Sequence, residues 1–476
     1  MTRKLYKIDA FMGIDQSQSE NGLNPAYSPD ACNMDVSNGD LAVARGYVRH
    51  IPHQVPGAGA PHRLYLFRRA DQDQVIVAAG REVYAYKGNA WRLIYTFARG
   101  LETGKLDFAQ VQIDSVGYLL IASGEEAIVK YNGALATPFG SAAGLSDKPV
   151  QYIAMYRDRL FSAGDPSFPN RLYWSQLPGS GRSIENWGEV ADSANVSGGH
   201  AEVGGAAGDP ILGLYALSNQ LLIFKKRSLY RLIGDKPGNF ILERVDADVE
   251  QTAHTALAAQ GDLLYFMTGA GLCCFNGVSA APLGDTRRIQ KTLERASARN
   301  TRSARGALAR SKLYFTLTEP EGDLMVEYDL LRRTYMLRRG FPIGDIAAWD
   351  GRLYLVNDAR FVYRFNEGDT YDGADVEAWW NTPLTDLYDK GGVKAMRGLA
   401  LRGRGESNAA LMVDVRVGGN TATHRLLLPK EESEVLEVPL CNEGRAFRLR
   451  FYNEAGGRFS LTGGVELSFE TWRRVE

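Results

Sequence analysis

The sequence predicts an all-β protein: a β-propeller with an N-terminal β-hairpin arm and a C-terminal β-sandwich, jelly-roll-like. Three observations carry this reading. First, one phrase keeps returning, a polar turn followed by an aliphatic-aromatic strand. It reads Tyr156-Arg157-Asp158-Arg159-Leu160-Phe161, then Leu217-Ser218-Asn219-Gln220-Leu221-Leu222-Ile223-Phe224, then Ala259-Gln260-Gly261-Asp262-Leu263-Leu264-Tyr265-Phe266. It returns as Ala309-Arg310-Ser311-Lys312-Leu313-Tyr314-Phe315 and Trp349-Asp350-Gly351-Arg352-Leu353-Tyr354-Leu355. Second, the copies are spaced by roughly 40 to 60 residues, the period of a supersecondary unit stacked on its neighbours. Third, glycine is abundant, 51 of 476 residues, as tight hairpins with positive φ require. A single four-stranded sheet cannot bury both faces, whereas several arranged radially can.

Residues 1–60 read differently from the repeats. Asn33-Met34-Asp35-Val36 and Leu41-Ala42-Val43-Ala44-Arg45-Gly46-Tyr47 flank Ser37-Asn38-Gly39-Asp40, whose Asn-Gly is a strong hairpin signal. A Pro/Gly/Ala linker follows from Ile51 to Pro61. The propeller is expected over 61–368 with about seven blades. Its first blade comprises Arg63–Phe67, Gln74–Ala79, Glu82–Tyr86 and Trp91–Tyr95. The second runs through Gly117–Ala122 and Ala127–Gly133, and the third ends near Trp187. The fourth contains Ser228–Leu232, the fifth Gly271–Gly277, the sixth Met325–Asp329 and the seventh Phe361–Asn366. Near 285–300 the rhythm breaks: Asp285 reads as a helix cap, with Ile289 and Leu293 at i, i+4. From 376 to 476 alternating strands follow at sandwich spacing, among them Leu411–Val417, Ala446–Phe451 and Val465–Glu470.

Bulk properties narrow the function. The chain is 45% hydrophobic and 23% charged, with 56 acidic against 55 basic residues, so no global field draws it to nucleic acid or an anionic membrane. The N-terminus has no apolar run behind its basic start, against a signal peptide. No stretch approaches the roughly 18 apolar residues of a membrane helix. Cys32, Cys273, Cys274 and Cys441 have no metal-type spacing, and the vicinal pair points to opposite faces of a strand. They read as reduced thiols of a protein made in a cytoplasm.

Catalytic signals are scarce. His50 and His53 stand in the Pro-rich linker without carboxylates, and His62, His200, His254 and His424 are scattered. Gly-x-Ser-x-Gly, phosphate-loop and zinc patterns are missing. A propeller glycosidase needs carboxylates facing the channel. Asp158, Asp262 and Asp350 fall in the repeated turn, where Asp supports the turn itself. Gly368–Asp375 spaces three carboxylates but lacks a full calcium-loop pattern, so it reads as a solvated turn. No catalytic residue, cofactor or metal is assigned.

The segment 287–312 stands out. Arg287, Arg288, Lys291, Arg295, Arg299, Arg302, Arg305, Arg310 and Lys312 are interrupted only by Glu294 among acids. It is a candidate contact for passing double-stranded DNA, through phosphate charge, or for an acidic neighbouring subunit. The plainer reading is a solvated helix face.

Several stretches resemble a family of bacteriophage and prophage structural proteins built on a β-propeller, like the tail hub or nozzle proteins of short-tailed phages. They are Asp9-Ala10-Phe11-Met12-Gly13-Ile14-Asp15, the Asn33–Val36 and Asn38–Tyr47 hairpin, Asn170-Arg171-Leu172-Tyr173-Trp174-Ser175 with Glu185-Asn186-Trp187, Ile223–Tyr230 and Tyr328–Tyr335. Each is short; their order gives them weight. The resemblance implies a non-enzymatic virion component of the tail or head–tail connector. It would assemble as a homo-oligomeric ring with neighbouring tail or connector proteins, without a membrane. No functional residue carries over. The rival reading is a carbohydrate-binding or glycan-cleaving propeller. A WD-repeat scaffold is disfavoured, because the Gly-His and Trp-Asp signatures do not recur from repeat to repeat.

Overall fold

The computed structural model describes residues 3–98, 101, 106–140, 148–205, 208–245, 256–268, 271–296, 304–406, 409–431 and 435–472. Among these, seven four-stranded antiparallel sheets are arranged around one channel. The chain is thus a seven-bladed β-propeller. Two larger sheets, of seven and five strands, accompany it. No described helix is long and apolar enough to cross a membrane.

The repeated phrase is the hairpin joining the first and second strands of a blade. The first strands, such as Tyr152–Tyr156 and Asp345–Trp349, line the channel. The turns carry one or two residues with φ > 0, two at Arg157-Asp158 (49° and 60°) and Asp350-Gly351 (51° and 69°) and one at Ser218, Gly261 and Arg310, geometries that match strand twist. Asp158 and Asp350 therefore serve the turn. Second strands are buried along their length: Gln74–Ala79, Arg159–Ala163 and Gln220–Lys225 expose no residue. Each lies between neighbouring blades on both faces, so these strands read as continuous apolar runs rather than alternating ones. The fourth strand of blade 1, Ala90–Thr96, is largely exposed, whereas that of blade 6, Thr334–Arg338, is buried.

The core accordingly consists of wedges between blades. Phe67, Ile76 and Ala85 of blade 1 meet Phe108, Leu119 and Ile121 of blade 2. Leu222 and Phe224 of blade 4 meet Leu264 and Phe266 of blade 5, with the Phe224 and Phe266 rings edge to face at 5.4 Å. Cys273 and Cys274 enter wedges on opposite sides of blade 5, and all four cysteines are free thiols.

Three sequence expectations change. The third blade does not end at Trp187. That ring plugs the wedge between blades 2 and 3, and the chain loops back to place Gly199–Glu202 as the outer strand. Buried Arg159 holds this loop, donating to the carbonyls of Ser175 (2.6 Å), Ser197 (2.9 Å) and Asn195 (2.6 Å). Second, the helical insertion lies between blades 5 and 6 as expected, but as a 3-10 turn Thr286–Ile289 leading into a helix Gln290–Arg295. Asp285 makes no side-chain cap; its carboxylate accepts from the Tyr328 (2.9 Å) and Tyr335 (3.4 Å) hydroxyls.

The third change concerns residues 1–60, which form no separate arm. The expected hairpin is present, Met34–Asp35 pairing with Leu41–Val43, but its surroundings are shared. Tyr47–Arg49 pairs with Val362–Phe365 as the fourth strand of blade 7, closing the ring. Ile51 and Val55 of the linker fill the wedge between blades 7 and 1. Arg3–Ile8 and Leu41–Val43 lie on the long strand Phe459–Trp472, which pairs in turn with Val393–Gly405. Asp30–Cys32 begins the five-stranded sheet, beside Trp379–Asn381. Between the two sheets Phe447 packs on Tyr6 (5.2 Å) and Phe469 (6.3 Å).

Asn33 joins these parts. Its backbone is left-handed (φ 52°), a conformation asparagine tolerates better than most residues. Its amide Nδ2 donates to the Arg339 (3.0 Å) and Glu377 (2.7 Å) carbonyls, and its Oδ1 accepts from Arg339 N (3.0 Å) and the Tyr371 hydroxyl (3.1 Å). Replacing Asn33 by Gly should cost about 3 kcal/mol through these buried bonds. Asn33→Ala should cost about 1 kcal/mol more, because alanine resists the left-handed backbone. Urea denaturation of the two variants checks both values.

Candidate functional site

The channel is shared by the whole ring, a cavity of 720 Å³ bounded by the first strands of all seven blades. Apolar side chains such as Leu66, Met155 and Leu308 line it together with Arg63, Arg68, Asp107 and Gln110. Polar groups gather where the first strands begin. Asp345 is completely buried between two arginines: Arg305 Nε stands 2.9 Å from Oδ1 and Arg63 Nη1 3.4 Å from Oδ2. Asp345 Oδ2 also accepts from the backbone N–H of Leu64, 2.7 Å away. That bond crosses from blade 7 to blade 1, at the seam of the ring. An equivalent bond joins blades 2 and 3, where Asp107 Oδ2 accepts from Ile153 N at 3.0 Å. A carboxylate opening one inner strand thus holds the backbone of the next.

The chemistry of these groups follows from burial. Desolvation pulls the Arg305 guanidinium down to about 10, opposed by Asp345. Burial pushes the Asp107 carboxyl up to about 6, although it borders the channel; the Ile153 N–H and the Arg63 charge act the other way. Both carboxylates are engaged by neighbouring backbone amides, and Asp345 by two cations as well. The cluster is a seam between blades rather than an acid–base pair.

The structure disperses the basic segment 287–312. Arg305 is no surface residue; it is the buried partner of Asp345. Arg299 and Arg302 lie outside the described residues. Arg295 pairs with Glu321 at 2.6 Å. Arg288 lies over the Tyr27 ring and donates to the Arg333 carbonyl at 3.0 Å. Lys312 contacts Glu327 at 2.5 Å. Arg287, Lys291 and Arg310 are exposed. The linear run is therefore no continuous patch.

The other candidates resolve into structural contacts. His50 packs on Tyr354 (4.9 Å), and His53 Nδ1 is 3.0 Å from the Tyr86 hydroxyl. In the 368–375 loop, Asp372 binds Arg49 (2.8 Å) and the Tyr363 hydroxyl (3.0 Å), while Asp369 binds Arg458. These carboxylates tie the loop down instead of surrounding an ion. Among the described residues, no group of three His, Cys, Asp or Glu side chains could hold a metal. Sequence reading missed Asp345 and Asp107, because a carboxylate at the start of a strand has no local signature of contact with the next blade.

The sequence matches no family model and no curated protein. Among solved structures it is similar to the WD40 domain of Neurospora crassa Pan2, with TM-score 0.39 and 10% identity over 68% of this chain and 94% of that one. The CNH domain of AfRom2 aligns with TM-score 0.40 and 8% identity, over 67% of this chain and 97% of that one. PorZ, a surface component of the type-IX secretion system of Porphyromonas gingivalis, gives 0.40 and 10%, over 78% of this chain and 46% of that one. Likenesses this slight carry no functional argument.

Two measurements test the seam. Asp345→Asn removes the counter-charge of buried Arg305 and should cost about 3 kcal/mol or more in a denaturant titration. Asp107 binds its proton more tightly folded than unfolded, so the folded state gains protons between about pH 4 and about pH 6. Its contribution to stability falls as pH rises through that window. Asp107→Asn should flatten that part of the melting-temperature profile.

Proposed function

We propose that this chain is a non-enzymatic structural component of a phage virion, acting in the tail or the head–tail connector as a subunit of a ring. The observation that carries the reading furthest is the path of the N-terminal segment. It completes blade 7, fills the wedge beside blade 1 and supplies strands to both larger sheets. One segment thus binds propeller and sheets into a single unit, which suits a part that must bear load through its surfaces. The ordered phrases of the sequence that resemble phage propeller proteins supply the virion setting.

The propeller also offers a surface for neighbours. Leu135, Val278 and Leu331 are 63%, 70% and 82% exposed. Each sits at the tip of the turn after the third strand of its blade, in blades 2, 5 and 6. An Asn or Asp side chain holds every tip: Asn132 accepts from Leu135 N (2.8 Å), Asn276 from Val278 N (3.0 Å) and Asp329 from Leu331 N (2.9 Å). Single exposed apolar residues are ordinary, but here the repeat places them at equivalent stations on one face. Burial of such tips against another subunit would stabilise a ring by about 25 cal/mol per Å².

The channel of the propeller is not the DNA path in this reading. Its 720 Å³ is the size of a small-ligand pocket, whereas the major groove alone of a duplex is about 12 Å wide. DNA would pass through the lumen enclosed by several copies.

Negative-stain microscopy and analytical ultracentrifugation of the purified protein test the proposal. Rings should form, alone or with a tail or connector partner. The triple variant Leu135→Asp, Val278→Asp, Leu331→Asp should lose them while its melting temperature stays within a few degrees, as expected for exposed sites. A strict monomer that binds no virion component would refute the assignment.

A further inference from the structure

A second cavity, of 510 Å³, opens where the turns of blades 6 and 7 meet the N-terminal hairpin. Five cationic side chains line it, Arg45, Arg310, Lys312, Arg352 and Arg458, against three carboxylates, Asp35, Asp329 and Glu367. The carboxylates are already engaged. Asp35 Oδ1 accepts from Ser37 N (2.8 Å) and its hydroxyl, Asp329 Oδ1 from Leu331 N and Arg332 N, and Glu367 lies 3.1 Å from Arg364. Lys312 and Arg458 are spent as well, on Glu327 and on Asp369.

Three arginines are held less tightly, making no side-chain hydrogen bond among the described residues, although Arg45 and Arg352 stand in long ion pairs with Asp369 and Glu367. The nearest carboxylate oxygen is 3.6 Å from Arg45 and 3.8 Å from Arg352, beyond hydrogen-bond length. Arg310 has no ion pair or hydrogen bond among the described residues. The repeat brings these groups together. Arg310 opens the two-residue turn of blade 6, and Arg352 directly follows that of blade 7. The Arg310 stem lies against the Gly351 turn, its Cγ 3.8 Å from where a Cβ on Gly351 would stand, an ordinary packing distance.

We propose that this cleft binds a phosphate group. Guanidinium forks approaching from three separate segments suit a tetrahedral anion with three or four acceptor oxygens better than a planar carboxylate with two. The phosphate can belong to a small phosphorylated compound or to a nucleic-acid backbone. The inference is independent of the virion assignment, because it concerns the soluble chain alone.

The test uses the full chain at constant ionic strength, with inorganic pyrophosphate titrated by calorimetry and a short fluorescent DNA duplex followed by anisotropy. Pyrophosphate should bind saturably, and Arg310→Gln combined with Arg352→Gln should weaken it at least about tenfold, the scale of losing charged hydrogen bonds, with an unchanged melting curve. Arg287→Gln combined with Lys291→Gln, on the exposed helical insertion, should leave binding intact. Pyrophosphate binding without duplex binding points to a small ligand; a duplex that pyrophosphate displaces points to a backbone phosphate. The proposal fails if pyrophosphate does not bind, if the duplex binds but cannot be displaced, or if the control pair weakens binding as much as the cleft pair.

Discussion

Everything in this structure depends on closing the ring. Each blade carries apolar side chains on both faces, and apolar surface of the adjacent blades covers most of them. Six such contacts leave one pair of faces bare. The seam between blades 7 and 1 is therefore where the structure concentrates its specific interactions. A strand from the N-terminal segment completes blade 7, linker residues fill the wedge, and a buried carboxylate holds the first strand of blade 1. Closure by a distant segment also spends chain entropy once to bury two sheet faces.

The same N-terminal segment determines how the larger sheets relate to the propeller. It runs through both sheets before it reaches blade 7, and Asn33 satisfies carbonyls and amides of blade 6, the 371–377 segment and its own hairpin. Opening the seam would disturb all of these contacts together.

Charge shows most clearly how the fold rearranges the sequence. The basic run 287–312 looks continuous along the chain, yet its members separate into a buried seam residue, helix-surface residues and groups paired with distant acids. Conversely, Arg45, Arg310 and Arg352 lie in three unrelated stretches and line one cleft. A linear cluster reports composition; the cleft results from neighbouring blades repeating one turn.

Much of the propeller was legible in the chain. The turn-and-strand phrase predicted the inner hairpins, because a two-residue turn with positive φ between strands has few other uses. Continuous apolar runs marked the second strands, and Asp285–Ala296 marked the insertion, since both signals are local. The outer strand of blade 3, the closure by Tyr47–Arg49 and the merger of residues 1–60 with the larger sheets were hidden. A β-strand shows in its residues which faces it buries, but its partner across the ladder is selected by backbone hydrogen bonds, which every residue except proline supplies alike. Local chemistry therefore wrote the blades into the sequence, and only the folded chain decided which distant strand would close them and which arginines would meet.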